Sequence, residues 1–259
     1  MTASASKLRD SANIALLCVA IALLPAFVLW VGRQEKLERP AIIPNSLWRN
    51  TVFTCICIAV FFSWAVFNAT QYFMTLFFQE VQELSATQTS LRFLPMVFSG
   101  AVTNVATGLL VPTVSANLLV FSSVAMTSLS PMLMALVNQH WLYWYMAFPA
   151  VLLTPICADT LFTVSNLAIT SVFPSRTQGL AGGVFNTLAQ IGTSVGLAVT
   201  AIIASSVTAG SASQDKVSPE ALMKGYRATF WTCFAAMVTM LGVSGWGLRR
   251  IGKVGLKKD

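Results

Sequence analysis

The sequence predicts an all-α fold, a multi-pass transmembrane helical bundle of about seven spans. From Phe93 to Ala158, 66 consecutive residues include no Asp, Glu, Lys or Arg. Hydrophobic residues make up 56% of the chain and charged ones 10%, against roughly 25% charged in soluble domains. Mean hydropathy is +0.71. A single helix over the uncharged run would be ~100 Å long, over three times the ~30 Å hydrocarbon core of a bilayer. The run is therefore several crossings folded back on one another. Backbone groups find no water in the bilayer, so the crossings are helices. This composition excludes a soluble globular domain and a nucleic-acid binder.

Turn signals place the spans near 12–31, 50–78, 93–111, 117–137, 142–170, 180–207 and 228–248. The first is too long for a signal peptide and lacks a clear small-residue cleavage site, so it is read as a span. The second follows the basic loop 32–49. Pro112 with Asn117, and Asn138-Gln139-His140, divide the uncharged run into the third, fourth and fifth spans. Pro149 and Pro155 predict a kink in the fifth. The second, fifth and sixth exceed ~25 residues and must tilt, kink or project. The predicted organisation is a preceding helix and cytoplasmic loop over 1–49, a six-helix bundle over 50–248 and a basic cytoplasmic tail over 249–259.

Charge sets the orientation. With the C-terminus cytoplasmic, Arg33, Lys36, Arg39, Arg49, Arg176, Arg249, Arg250, Lys253, Lys257 and Lys258 lie inside. Lys7, Arg9, Arg92, Lys216, Lys224 and Arg227 lie outside, so the count is ten against six. Lys7 and Arg9 dissent from this assignment. Cys18, Cys55, Cys57, Cys157 and Cys233 all fall in apolar segments with no histidine at metal-ligand spacing, and read as small hydrophobes. No cofactor or metal is implied. The glycosylation pattern Asn68-Ala-Thr70 lies inside a span and is set aside.

Polar residues recur at helical spacing on three spans. Trp64, Asn68, Gln71, Tyr72, Thr75 and Gln79 share one face of the second. Arg92, Ser99, Thr103 and Thr107 repeat the pattern on the third, and Asn186, Gln190, Thr193 and Ser194 on the sixth. Each side chain alone reads equally as an interhelical hydrogen bond of ~0.6 kcal/mol. Three stripes together predict a shared polar cavity.

Asp159 is the sharpest residue, read as the one intramembrane carboxylate, on a face with Thr163 and Asn166. Such a carboxylate costs ~2.5–3.5 kcal/mol on insertion scales and is rarely idle. It reads as a proton acceptor or a site for a cation or cationic substrate. The alternative is a structural carboxylate, satisfied by neighbouring Ser, Thr and Asn or held neutral. Asn68, Gln71, Thr75, Asn166, Asn186 and Gln190 are expected to line the same pathway. Gly179 with Gly183, and Gly192 with Gly196, have the spacing of closely packed helices. Arg92 reads as an interfacial side chain or a gate.

Segment by segment, the chain resembles the C-terminal half of major facilitator superfamily transporters, in particular the fungal branch of the fourteen-span drug:proton antiporters. The resemblance rests on Pro44-Asn-Ser-Leu-Trp-Arg-Asn50, Phe67-Asn-Ala-Thr70, Thr75-Leu-Phe-Phe-Gln79 and Ser90-Leu-Arg-Phe-Leu-Pro95 with Gly100. It continues in Ala158-Asp-Thr-Leu-Phe-Thr-Val-Ser-Asn166, in Gln178-Gly-Leu-Ala-Gly-Gly-Val-Phe-Asn-Thr187 and in Gln190-Ile-Gly192. It implies the C-terminal six-helix bundle of a major facilitator fold plus one preceding helix. Function would be alternating access, with a small organic substrate bound between two bundles and export driven by protons. The expected location is the plasma membrane, with the vacuolar membrane as the alternative.

The N-terminal bundle of that family has no counterpart here, and the turn Val111-Pro-Thr-Val-Ser-Ala116 lacks the basic residues common in such turns. The expectation is a half-transporter, either a truncated product or a half that pairs with itself or with another. A non-transporting membrane protein that assembles with other chains is the alternative. A seven-helix receptor or retinal protein fits the helix count, but a retinal protein would need a lysine in its last helix, 228–248 has none, and the tail carries no feature of a signalling partner. An enzyme would need clustered His, Cys, Asp or Glu, and the single histidine, His140, sits in a predicted loop.

Overall fold

The computed structural model describes residues 51–172, 175–210 and 218–247. The predicted span 12–31, the loop after it and the basic tail lie outside the described residues. The chain divides into two compact units, Met1–Thr54 and Cys55–Asp259. The elements below belong to the second, apart from the first few residues of α1.

The elements are α1 (Thr51–Leu76), continued by a π-helical turn over Phe77–Val81, α2 (Ala86–Arg92), α3 (Leu94–Leu110), α4 (Ala116–Leu136), α5 (Ala147–Leu153), α6 (Ile156–Val172), α7 (Ser175–Ala209) and α8 (Pro219–Gly247). Among the described residues, six helical stretches are long and apolar enough to cross a membrane: Thr54–Val81, Ala86–Leu110, Ala116–Leu136, Ala147–Leu167, Gln178–Ala209 and Pro219–Gly245. They correspond to the second to seventh predicted spans.

Two helices begin earlier than hydropathy indicates. The third span starts at Ala86 instead of 93, because Ser85 and Gln88 form a capping box in which each side chain accepts from the other's backbone N–H. The seventh starts at Pro219 instead of 228. Ser218 accepts there from Ala221 N–H at 3.4 Å, with Pro219 and Glu220 suited to a first turn. The fifth starts later, at Ala147, because 138–146 forms successive turns.

The predicted kink is a break between α5 and α6 at Thr154–Pro155. Proline brings no N–H, so carbonyls of the preceding turn lose their helical partners. Side chains from other helices take them up. Ser99 of α3 donates to Leu152 O at 2.6 Å, and Ser130 of α4 adds a bond of 2.7 Å to Ala150 O, which keeps its helical partner Thr154 N–H at 3.2 Å. Thr127 of α4 donates to Leu153 O at 3.1 Å and accepts from Cys157 N–H at 2.9 Å. A hydroxyl thus stands where the Leu153–Cys157 backbone bond would be. Hydrocarbon tolerates a broken helix when neighbouring side chains satisfy the freed groups this way.

The middle of the bundle is α4 and α5–α6, where 50% and 56% of the apolar windows are buried, against 11% for α2–α3 and 17% for α7. One buried cluster joins Val66 and Ala69 of α1, Val120 and Val124 of α4, Leu161 and Val164 of α6, and Met237 and Met240 of α8. A second gathers Phe73, Phe77 and Phe78 against Met134, Val151, Tyr226 and Phe230. Lipid is as apolar as these side chains, so close packing rather than the hydrophobic effect holds the helices together. Small residues permit it. A methyl group added at Gly196 of α7 would lie 2.6 Å from Ala65 O of α1, and one at Gly192 would lie 3.1 Å from Phe61 Cα. Gly179 and Gly183 meet nothing within 4 Å among the described residues. Gly225, not singled out from the sequence, brings α8 against Ala204 O of α7 in the same fashion.

Candidate functional site

Asp159 lies one turn into α6, where its N–H closes the helix onto Pro155 O at 3.0 Å. The break just before it aims this turn at α3. Gly100 faces it: a methyl group there would lie 2.7 Å from Asp159 Oδ2, so the absence of a side chain is what admits the carboxylate. Asn104, one turn along α3, donates to Gly100 O at 3.0 Å and hydrogen-bonds to Asp159. Its Oδ1 accepts from Thr163 at 3.0 Å, one turn beyond Asp159 on α6. One turn farther along α3, the Thr107 hydroxyl meets that of Thr160, the residue after Asp159 on α6, at 3.4 Å. The result is a polar ladder between α3 and α6, with a half-buried carboxylate whose hydrogen-bond partner is a neutral amide.

The other predicted pathway residues divide between this seam and a second. Asn68 of α1 donates to Thr193 of α7 at 3.1 Å and to Trp64 O at 3.0 Å. Thr75 donates to Gln71 O at 2.9 Å, one turn back on its own helix. Asn186 and Gln190 are exposed on α7, and Asn166 is exposed on α6. The described contacts thus bring Asn68 to α7 and Asp159 to α3, on separate helix pairs.

Sequence reasoning passed over Asn104, which sits beside the stripe of Ser99, Thr103 and Thr107 rather than on it. It also counted one intramembrane carboxylate, and the structure corrects this. Glu80 falls inside the span Thr54–Val81 and accepts from the Tyr226 hydroxyl of α8. The π-helical turn adds a residue to the helical repeat and turns Glu80 onto α8 instead of outward.

At this same end of α1, Arg92 donates to Gln82 Oε1 at 2.5 Å. Its guanidinium lies 5.3 Å from the Phe78 ring centre and 5.1 Å from that of Tyr143. The Tyr143 hydroxyl donates to Arg92 O at 2.6 Å. Burial raises the Tyr143 phenol above its ordinary pKa, and the nearby guanidinium acts in the opposite direction. Among the described residues, no three His, Cys, Asp or Glu side chains converge as metal ligands.

Residues 12–197 match the family Major Facilitator Superfamily. MFS-type transporter 1 of Pyricularia oryzae is 51% identical over 261 residues, covering 94% of this chain and 42% of that protein. The chain belongs to the major facilitator superfamily. Members of the superfamily are transporters, not enzymes. The Low affinity ammonium transporter of Saccharomyces cerevisiae is 26% identical, covering 85% of this chain and 40% of its own. Efflux pump terJ of Aspergillus terreus is 24% identical, covering 81% and 39%. This superfamily chain therefore spans about two fifths of the length of the curated relatives it matches.

Proposed function

We propose that the chain is the C-terminal part of a proton-coupled exporter of small organic molecules, with Asp159 as its charge-sensing residue. The observation that carries this reading is the half-buried carboxylate at the head of a broken helix, held between Gly100 and Asn104. Its hydrogen-bond partner is a neutral side chain, so the charge can be met by a proton or by a cationic group of a substrate. A site that changes charge beside a helix break is suited to alternating access. One relative is named an efflux pump and another an ammonium transporter, so both export and handling of a cation occur among the relatives' names.

In this reading Asn68, Gln71, Thr75, Asn166, Asn186 and Gln190 line the pathway. The partner is an N-terminal bundle, a second half-transporter or a second copy of this chain. The C-terminus is cytoplasmic and the membrane is the plasma membrane.

The test is efflux of lipophilic cations and weak acids from vesicles carrying this chain, alone and with a matching N-terminal bundle, beside Asp159→Asn. Efflux that requires a pH gradient and is lost in the variant is the expected result. Well-folded protein that gives no efflux in either setting would overturn the reading and leave a non-transporting membrane protein that assembles with other chains.

A further inference from the structure

Arg92 ends α2 at one end of the bundle, and a groove of about 700 Å³ opens beside it. Leu94 and Phe98 of α3 form one wall, and Phe148 and Leu152 of α5 the other, with Trp144 at the mouth. Each wall repeats at i and i+4, so the groove follows the helices inward. From Phe148 to Leu152 the α5 wall runs roughly 6 Å at 1.5 Å per residue. Leu94, Phe98 and Trp144 are 58%, 71% and 69% exposed, and Trp141 and Tyr145 are exposed close by. Exposed Trp and Tyr at the end of membrane spans mark the depth of the lipid headgroups.

Charge complementarity identifies the occupant. The groove is apolar along its length and ends at a cation whose hydrogen-bond partner is the uncharged amide of Gln82. The Phe78 and Tyr143 rings flank the guanidinium, and its remaining N–H groups are suited to bidentate contact with a phosphate. A second cleft, of about 380 Å³, shares Arg92 and Tyr143 with the groove and is lined also by Glu83 and His140. The Glu83 carboxylate disfavours an anion there and leaves the apolar groove as the anionic side. We infer that this groove holds one anionic phospholipid, its acyl chain between α3 and α5 and its headgroup phosphate on Arg92. The inference is independent of the transport reading, and with Arg92 on the outer side, as the charge count places it, the lipid belongs to the outer leaflet.

The test is native mass spectrometry of the full chain in detergent, titrated with phosphatidylglycerol or with phosphatidylcholine of the same acyl chains. Both lipids offer Arg92 a phosphate, but only phosphatidylglycerol has net negative charge, so it is expected to be retained about fivefold better, the gain of one exposed ion pair. Arg92→Gln should level the two lipids, and Arg92→Lys should keep part of the preference. Equal retention by the unaltered chain, or a preference that survives Arg92→Gln, would overturn the inference. Should Arg92→Gln fail to fold, Phe98→Ala and Trp144→Ala decide, since both change exposed side chains. They should weaken retention of both lipids, and unchanged retention would count against the groove. Inorganic phosphate bound as well as phosphatidylglycerol at equal concentration would reveal an anion site without an acyl chain, and would equally overturn it.

Discussion

Gly100 and Asp159 occupy one shared space: the carboxylate oxygen of the second lies 2.7 Å from where a side chain of the first would begin. The two residues are on different helices, so the position of the charge depends on a residue that contributes no atoms to it. Gly100→Ala should leave the helices in place, because the atom it meets is the free end of a side chain. It should move the carboxylate off Asn104. The hydrogen bond lost is one to a charged group, ~1.5 kcal/mol or about tenfold. Transport by the complemented protein should fall by that order, and thermal unfolding in detergent should register a loss of no more than the same ~1.5 kcal/mol. A variant that unfolds early yet transports normally would contradict this.

Thr127 has a different duty. Its hydroxyl bridges Leu153 O and Cys157 N–H, so Thr127→Val strands two buried backbone groups. The expected loss is about 1–3 kcal/mol. Thr127→Ser retains the hydroxyl and should lie near the parent. Unfolding in detergent, followed by circular dichroism, distinguishes the two. Equal stability of Val and Ser variants would mean the bridge contributes nothing.

The glycines divide sharply. Gly196→Ala forces α7 away from Ala65 and should cost about 1–3 kcal/mol, as overpacking does. Gly183→Ala adds a methyl group where nothing lies within 4 Å and should be silent in this chain measured alone. The same unfolding measurement reads both, and a reversed order would dismiss the close approach of α1 and α7.

At the other end of α1, Tyr226→Phe removes the hydroxyl that Glu80 accepts from. An acceptor left without its donor inside the bundle should cost about 1–3 kcal/mol. Glu80→Gln keeps an acceptor oxygen and should cost less. If the glutamine variant is the weaker of the two, the charge of Glu80 rather than this bond is what matters.

The spans were legible because 66 uncharged residues admit no other solution, and Asp159 was legible because a carboxylate in that stretch has nowhere inconspicuous to sit. What escaped the sequence has identifiable physical causes. The starts of α2 and α8 are set by Ser85 with Gln88 and by Ser218 with Pro219, polar signals that hydropathy places outside a span. Asn104 sits next to the regular stripe of α3, and only the approach of α6 makes it a partner of Asp159. Glu80 was missed because the predicted second span stopped at 78, whereas the π-helical turn carries the helix on to Val81. The spacing of Gly179 and Gly183 matches that of Gly192 and Gly196, yet only the second pair meets another backbone. Spacing reports that a close approach is possible, and the partner helix decides whether it happens.

The helix broken at Pro155 borrows hydrogen bonds from Ser99, Thr127 and Ser130, all of which precede it in the chain. Synthesis proceeds from the N-terminus, so the hydroxyls that complete α5–α6 are made before the helix that needs them. Inserted first or alone, that segment would carry bare carbonyls into hydrocarbon. The order of synthesis is therefore also the order in which this segment becomes soluble in lipid, and α3 and α4 act as an intramolecular escort for the span that carries Asp159.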